Sequence, residues 1–372
     1  MDEQYMKRVL MLAEKGKGKT NPNPMVGAVI VKNGKIIGEG FHEKYGQAHA
    51  EVNAIKNAIE CVEGSTIYVN LEPCSHYGKT PPCTDLIIEK GIKRVVIGSL
   101  DPNPMVEGRG VEKLENSGIQ VTVGLLEAEC KKFNEVFMHY ISTKHPFVVL
   151  KTAMSLDGKI ATVSGDSKWI TGEVARLDVQ DLRNRLSGIM IGINTVITDN
   201  PQLTCRIEGG RNPIRIILDS RLRIPYDSKV LQNQGNNQTI IATTELASLK
   251  YAQQLERIGA KIIICKSKNN QVNLQDLMTQ LGALNIDGIL LEGGSTLNDS
   301  ALAQGIVHKV VTYVAPKIIG GSSSKTPVGG KGIDTLNHAY LLNIESIERV
   351  GYDMKIIAYL KQREVGYCLQ EL

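Results

Sequence analysis

The sequence is poor in aromatic side chains, with one tryptophan and four phenylalanines in 372 residues. It holds no apolar run long enough to span a bilayer, which argues against a membrane protein. The first residues, Met1-Asp2-Glu3-Gln4-Tyr5, do not read as a signal peptide. Net charge is also scarce: +4 is too little for a general nucleic-acid surface, although it leaves room for a local basic pocket that takes a phosphate. No disulfide framework is present. Seven cysteines, an odd number, are scattered at Cys61, Cys74, Cys83, Cys130, Cys205, Cys265 and Cys368, which suits a reducing cytoplasm where thiols bind metal. A Gly-x-Gly-x-x-Gly fingerprint is missing, which disfavours a standard dinucleotide-binding dehydrogenase.

The length suits two domains. Residues 2–15 carry apolar positions at helical spacing. Residues 26–32 and 35–40 read as a hairpin about Asn33-Gly34. A helix opens at His49, and strand 65–71 ends at Glu72-Pro73. Beyond it, helices at 85–90, 109–117 and 127–140 alternate with strands at 94–99 and 119–123. The pattern predicts a three-layer α/β/α domain with a mixed sheet over 1–144. After the polar joint Ser142-Thr143-Lys144-His145-Pro146 a second α/β domain covers 145–372. Its predicted strands are 147–151, 188–193, 214–219, 239–243, 261–265, 288–292, 310–315 and 355–360. Helices are predicted at 173–186, between 243 and 261, at 274–284 and from about 295.

The chemistry concentrates between residues 49 and 83. His49, Cys74 and Cys83 supply one imidazole and two thiolates, three soft ligands that leave a fourth tetrahedral position open, as in a catalytic zinc site. Glu51 remains free to move protons. Zinc brings the pKa of its water to about 7, and Glu51 would carry the proton to a ring nitrogen and then to departing ammonia. Cysteines 61, 130, 205, 265 and 368 read as buried small hydrophobes. A structural zinc closed by His76 is the competing reading, and it would leave Glu51 without a task.

His-x-Glu followed by Pro-Cys pairs resembles the zinc-dependent nucleobase deaminases. Here, however, eight residues, not two, separate Cys74 from Cys83. The longer form resembles the deaminase half of the bifunctional riboflavin-biosynthesis deaminase/reductase family. That resemblance implies one zinc per chain, and places Asn23, His42, His76, Lys79, Asp101 and Asn103 at a phosphoribosyl pyrimidine. Turn chemistry alone also accounts for Asn23 and Asn103 in their Asn-Pro contexts.

The second half carries the other part of the resemblance: Lys151-Thr152-Ala153-Met154-Ser155-Leu156-Asp157-Gly158-Lys159, Gly165-Asp166-Ser167-Lys168-Trp169, Gly192-Ile193-Asn194-Thr195, Asp199 to Arg206, and Leu291-Glu292-Gly293-Gly294-Ser295. It looks like the reductase of the same family, whose fold is similar to dihydrofolate reductase and whose hydride comes from NADPH. The resemblance places Ser167, Arg183, Leu203, Arg206 and Glu292 at the substrate. It places Ala153, Trp169, Thr195, Asp199, Ser220, Gly293, Gly294 and Ser295 near NADPH. From the residues themselves, Gly293-Gly294 before a helix suits a pyrophosphate but is also a plain tight turn. Arg183 and Arg206 suit a phosphate bidentately; solvated surface is the alternative for Arg183. Trp169 packs on cofactor or sits partly buried in the core. Lys151 is the candidate for reductase chemistry, with a surface strand-end lysine as its alternative, and Ser220, Arg221 and Thr243 are candidates for the 2′-phosphate.

Together these features predict deamination of 2,5-diamino-6-(5-phosphoribosylamino)pyrimidin-4-one, then reduction of the ribosyl group of the resulting uracil. The expected protein is a cytoplasmic homo-oligomer acting on small molecules, without nucleic acid or membrane partners. The alternative is a tRNA or cytidine deaminase fused to a nucleotide-binding domain, against which the long Cys74–Cys83 loop and modest charge speak.

Overall fold

A computed structural model describes residues 1–77, 81–103, 106–235 and 237–361. The chain divides into two compact units, Met1–Pro146 with Leu281–Asp287, and Phe147–Gln280 with Gly288–Leu372. Among the described residues no helix is long and apolar enough to cross a membrane.

The first unit is built from α1 (Asp2–Ala13), β1 (Gly27–Lys32), β2 (Lys35–Phe41), α2 (Ala50–Lys56), β3 (Thr66–Leu71), α3 (Cys83–Glu89), β4 (Arg94–Ser99), α4 (Arg109–Asn116), β5 (Gln120–Val123), α5 (Glu127–Phe133) and α6 (Glu135–Thr143). The sheet order is β2-β1-β3-β4-β5. β1 runs antiparallel to both β2 and β3, while β3, β4 and β5 are parallel. Asn33 and Gly34 both take positive φ, +49° and +75°, as a two-residue hairpin turn of the primed kind requires. The strand period of two separates the core faces. Ala28 and Ile30 pack with Ala50, Ala54, Ile87 and Leu114. Val29 and Val31 pack with Met6, Val9, Leu12 and Cys130. Helices thus cover both sheet faces.

Residues 127–140 are not one helix. α5 and α6 break at Asn134, whose buried side-chain Oδ1 accepts from the Met25 N–H at 2.9 Å and whose Nδ2 donates to the Met25 carbonyl at 3.0 Å. That bridge satisfies a buried backbone segment.

The second unit is built from β6 (Phe147–Ser155), α7 (Glu173–Arg185), β7 (Gly188–Gly192), α8 (Ile193–Asp199), β8 (Ile214–Leu218), β9 (Thr239–Thr243), α9 (Leu249–Arg257), β10 (Lys261–Ile264), β11 (Ser267–Lys268), β12 (Gln271–Val272), α10 (Leu274–Ala283), β13 (Gly288–Gly293), α11 (Ser295–Ala303), β14 (Lys309–Ala315), β15 (Leu342–Val350) and β16 (Asp353–Leu360). The sheet order is β10-β9-β8-β7-β13-β6-β14-β16-β15. The strands from β10 to β14 are parallel. β16 and β15 close the edge antiparallel. The central strands are buried runs such as Ile189-Met190-Ile191 and Ile289-Leu290-Leu291, as a sheet covered on both faces demands. Helix α8, the hairpin β11–β12 and strand β15 were not anticipated from the sequence.

Candidate active sites

His49 is the N-cap of α2, and Glu51 lies in the helix's first turn. α2 lies unusually close to β2, because a Cβ on Gly40 would stand 2.3 Å from the Ala54 nitrogen; only glycine admits the helix there. Cys74 follows β3, and Cys83 is the first residue of α3. His49 Nδ1 lies 3.5 Å from Cys74 Sγ and 3.4 Å from Cys83 Sγ. The three ligand atoms all fall within 4.8 Å of one another. A tetrahedral zinc at ordinary bond lengths sets its nitrogen and sulfur ligands about 3.5 Å apart, so this donor set fits the ion. His76 is not in the cluster, and no closed set of four forms among the described residues.

The Cys83 backbone N–H donates to Cys74 Sγ at 3.3 Å. The Cys83 thiol, then His49 and that N–H, hold Cys74 well below the usual thiol range despite its burial, which favours a thiolate ligand. Burial pushes the Glu51 carboxyl up, opposed by His49 and helped by Cys74. Glu51 is only 3% exposed.

These groups open on a cavity of about 320 Å³ whose lining includes Asn23, His42, His49, Glu51, Cys74, His76, Asp101 and Asn103. His42 Nδ1 faces the Ala48 carbonyl at 3.0 Å, and its Nε2 faces Asn23 Nδ2 at 3.3 Å. Burial draws the His42 pKa down, so the neutral ring donates to Ala48 and accepts from Asn23. His76 Nδ1 is buried without a hydrogen-bond partner among the described residues. Burial pushes Asp101 up to about 6; the Asn103 N–H opposes this and Glu72 adds to it. Lys79 lies outside the described residues. Of the remaining cysteines, Cys130 and Cys265 are buried as expected. Cys61 is exposed and Cys205 only half-buried, because Cys61 falls in the turn after α2 and not in the core. Cys368 is outside the described residues.

In the second unit a cavity of about 690 Å³ opens beyond the carboxyl ends of β7, β8 and β13, where open α/β sheets bind ligands. Its lining includes Thr195, Asp199, Ser220, Gly294 and Ser295, and also Ser167. Gly294 donates its N–H to Thr195 Oγ1 at 3.1 Å. Arg221 and Arg223 line the same wall with Asn270 and Gln271 of the β11–β12 turn. Ala153, Trp169, Gly293 and Thr243 do not line it. Trp169 is 61% exposed, with the Arg176 guanidinium 4.5 Å from its ring, so it is not a core tryptophan.

Lys151, Arg183 and Glu292 form a separate charged group. Arg183 Nε and Nη2 donate to the two oxygens of Glu292 at 2.8 and 2.9 Å, and Nη1 donates to the Thr204 carbonyl at 3.0 Å. The Arg183 fork is therefore engaged within the chain, and Arg183 is no solvated surface residue. Burial pulls the Glu292 carboxyl upward, but the Arg183 and Lys151 charges prevail and hold it at about 2. Burial lowers Lys151, with Arg183 adding and Glu292 opposing. Lys151 is thus no free surface lysine. Leu203 is buried with φ +55°. The Arg206 backbone N–H donates to Gln180 Oε1 at 3.0 Å, and its side chain is exposed.

A zinc-type deaminase unit followed by a reductase unit with a wide cavity at its strand ends defines a two-headed enzyme class. The comparisons agree. Residues 1–99 match the cytidine and deoxycytidylate deaminase zinc-binding region, and residues 146–356 match the RibD C-terminal domain. The chain is 51% identical to the riboflavin biosynthesis protein RibD of Actinobacillus pleuropneumoniae, over 95% of this chain and 94% of that one. It is 44% identical to that of Aquifex aeolicus, over 96% and 98%. The solved RibD of Acinetobacter baumannii superposes with a TM-score of 0.88 at 37% identity, covering 97% and 99% of the chains. A deaminase/reductase from Thermotoga maritima gives 0.84 at 40%, also covering 97% and 99%. The chain belongs to the RibD family: it is a bifunctional deaminase and reductase of riboflavin biosynthesis, with a zinc-dependent first half.

Glu72 escaped the sequence reading. Its carboxylate accepts four backbone N–H groups, a role that no residue spacing announces.

Proposed function

We propose that the first unit hydrolyses the ring amine of 2,5-diamino-6-(5-phosphoribosylamino)pyrimidin-4-one, and that the second reduces the ribosyl group of 5-amino-6-(5-phosphoribosylamino)uracil to ribityl. The observation that carries the first step is Glu51, buried beside the His49–Cys74–Cys83 set on a cavity of about 320 Å³. Zinc held by those three residues supplies a water acidic enough to be a nucleophile near neutral pH. Glu51 takes a proton from the attacking water and passes it to the ring nitrogen. It then serves the leaving amine, so that water and the amine become a ring carbonyl and ammonia. Burial, which favours the protonated carboxyl, suits that return of the proton. His42 fixes the Asn23 amide, which turns its oxygen toward the pyrimidine. His76 Nδ1, Asp101 and Asn103 hold the remainder of the substrate, with Lys79 on its phosphate.

NADPH is the cofactor of the reductase half, and it supplies the hydride. We read the 690 Å³ cavity as its seat, with Thr195, Ser220, Gly294 and Ser295 along it. Lys151, drawn down by burial while the Glu292 charge opposes that shift, hydrogen-bonds the opened sugar whose carbon is reduced. Ser167, Leu203 and Arg206 flank the substrate.

We further read the protein as a cytoplasmic homo-oligomer. Leu342, Ile344 and Ile347 are exposed on edge strand β15, and a bulge keeps Ile344 and Ile347 on one face, opposite Ala358 and Ile356. Leu342 also borders a hollow of about 350 Å³ lined by Leu150, Met154, Val310 and Leu360. An apolar edge of this kind suits a second copy.

Mass spectrometry of the diaminopyrimidinone ribotide, incubated with zinc-replete protein, tests the order of steps. The expected product is the deaminated ribotide without NADPH and the deaminated, reduced compound with it. Reduction before deamination would overturn the order.

A further inference from the structure

Glu72 directly follows β3 on the way to Cys74, and it is 4% exposed. Its backbone N–H donates to the Ser99 carbonyl at 3.0 Å. Its carboxylate oxygens each accept two backbone N–H groups. Oε1 takes those of Gly110 at 2.9 Å and Val111 at 3.3 Å, and Oε2 takes those of Gly108 at 3.1 Å and Asp101 at 3.3 Å. A carboxylate has about four acceptor sites, so all are filled, and none remains for substrate, proton transfer or metal. The segment it gathers includes Asp101 and Asn103, which line the first cavity. Asp101 Oδ1 in turn accepts the Asn103 N–H at 2.9 Å. A Cβ on Gly110 would stand 2.4 Å from the Pro73 carbonyl and 2.9 Å from Glu72 Oε1, so the fit admits no side chain there.

We propose that Glu72 is a positioning residue of the deaminase, tying residues 101–103 and 106–111, and with them Asp101 and Asn103, to the strand end that leads to Cys74. This rests on the reading of Asp101 and Asn103 as substrate contacts. Because those contacts serve ground state and transition state alike, their displacement raises KM and leaves kcat. Glu72→Gln keeps the size of the side chain but turns an amide NH₂ against two of the four donors.

The test is steady-state deamination by full-length, zinc-loaded Glu72→Gln, with zinc content, reductase turnover and amide hydrogen exchange measured alongside. The expected result is a KM raised on the order of tenfold, kcat near wild type, zinc and reductase activity retained, and faster exchange in peptides covering 106–111. An unchanged KM, or zinc and kcat lost together, would overturn the proposal. If Glu72→Gln does not fold, Gly110→Ala pushes the same segment from its other side and decides by the same KM criterion. Asn103→Ala separates the two ideas. If it leaves KM unchanged, the substrate reading of this segment is wrong; if it raises KM while Glu72→Gln does not, only the positioning role is wrong.

Discussion

Arg183 and Glu292 form a two-pronged ion pair, 2.8 and 2.9 Å long, between α7 and the end of β13. Their side chains are only 14% and 12% exposed. Removing one partner of such a pair leaves an uncompensated buried charge, at a cost of about 3–5 kcal/mol. Glu292→Gln is therefore expected to destabilise the reductase transition by that amount, seen as a lower urea midpoint, and to slow reduction, without changing deamination. Urea titrations followed by the two activities check this.

The same pair sets an acid limit. Glu292 ordinarily titrates near 4.5 and is held at about 2 in the folded chain. A depressed carboxylate contributes stability that is complete above its unfolded pKa and is lost as pH falls through the folded value. The contribution is expected to be intact at pH 6 and to disappear between about pH 4.5 and 2. Wild type and Glu292→Gln should converge in stability across that window, as measured by denaturation at stepped pH.

Helix α2 depends on Gly40. Gly40→Val puts a branched side chain where a Cβ alone meets Ala54 N at 2.3 Å, so α2 must move and carry His49 and Glu51 with it. Deaminase activity is expected to fall by about a hundredfold or more, with reductase turnover retained. Parallel assays of the two reactions on one preparation read this directly.

Chelation separates the halves in another way. Dialysis against a strong chelator is expected to abolish deamination and spare reduction, with zinc alone restoring the first activity. Cys83→Ser is expected to lose metal by elemental analysis, because a hydroxyl is a poor substitute for a thiolate on zinc.

On the exposed edge of the second unit, Ile344→Lys with Ile347→Lys puts two charges on the face that carries the oligomer reading. Sedimentation is expected to show a larger assembly for wild type and a monomer for the double variant. Unchanged sedimentation would send the interface elsewhere.

Much of the molecule was legible before any coordinates, for identifiable reasons. The zinc set could be read because His49, Cys74 and Cys83 are rare residue types at element ends. The sheet could be read because β3, β4, β7 and β13 each hold an apolar run of three, such as Ile67-Tyr68-Val69 and Ile289-Leu290-Leu291. The break at Asn134 could not, since the amide acts on Met25, far away in the chain. Strand β15 was hidden because Asn343, Glu345, Ser346 and Glu348 dilute its apolar positions and a bulge shifts their period. Helix α8 follows β7 without a turn residue between them. The wall that Asn270 and Gln271 add to the 690 Å³ cavity joins the site only through tertiary folding. Glu72 was passed over because its partners are backbone groups, which leave no trace in residue identity.

The central claim is that two independent chemistries reside on one chain, with Glu51 serving only the first. The most direct measurement gives Glu51→Gln, zinc-loaded and with NADPH, either the diaminopyrimidinone ribotide or its deaminated uracil, and follows both by mass spectrometry. The account predicts that the first compound stays unchanged, while the second is reduced at the wild-type rate. Deamination of the first compound, or failure to reduce the second, would contradict it.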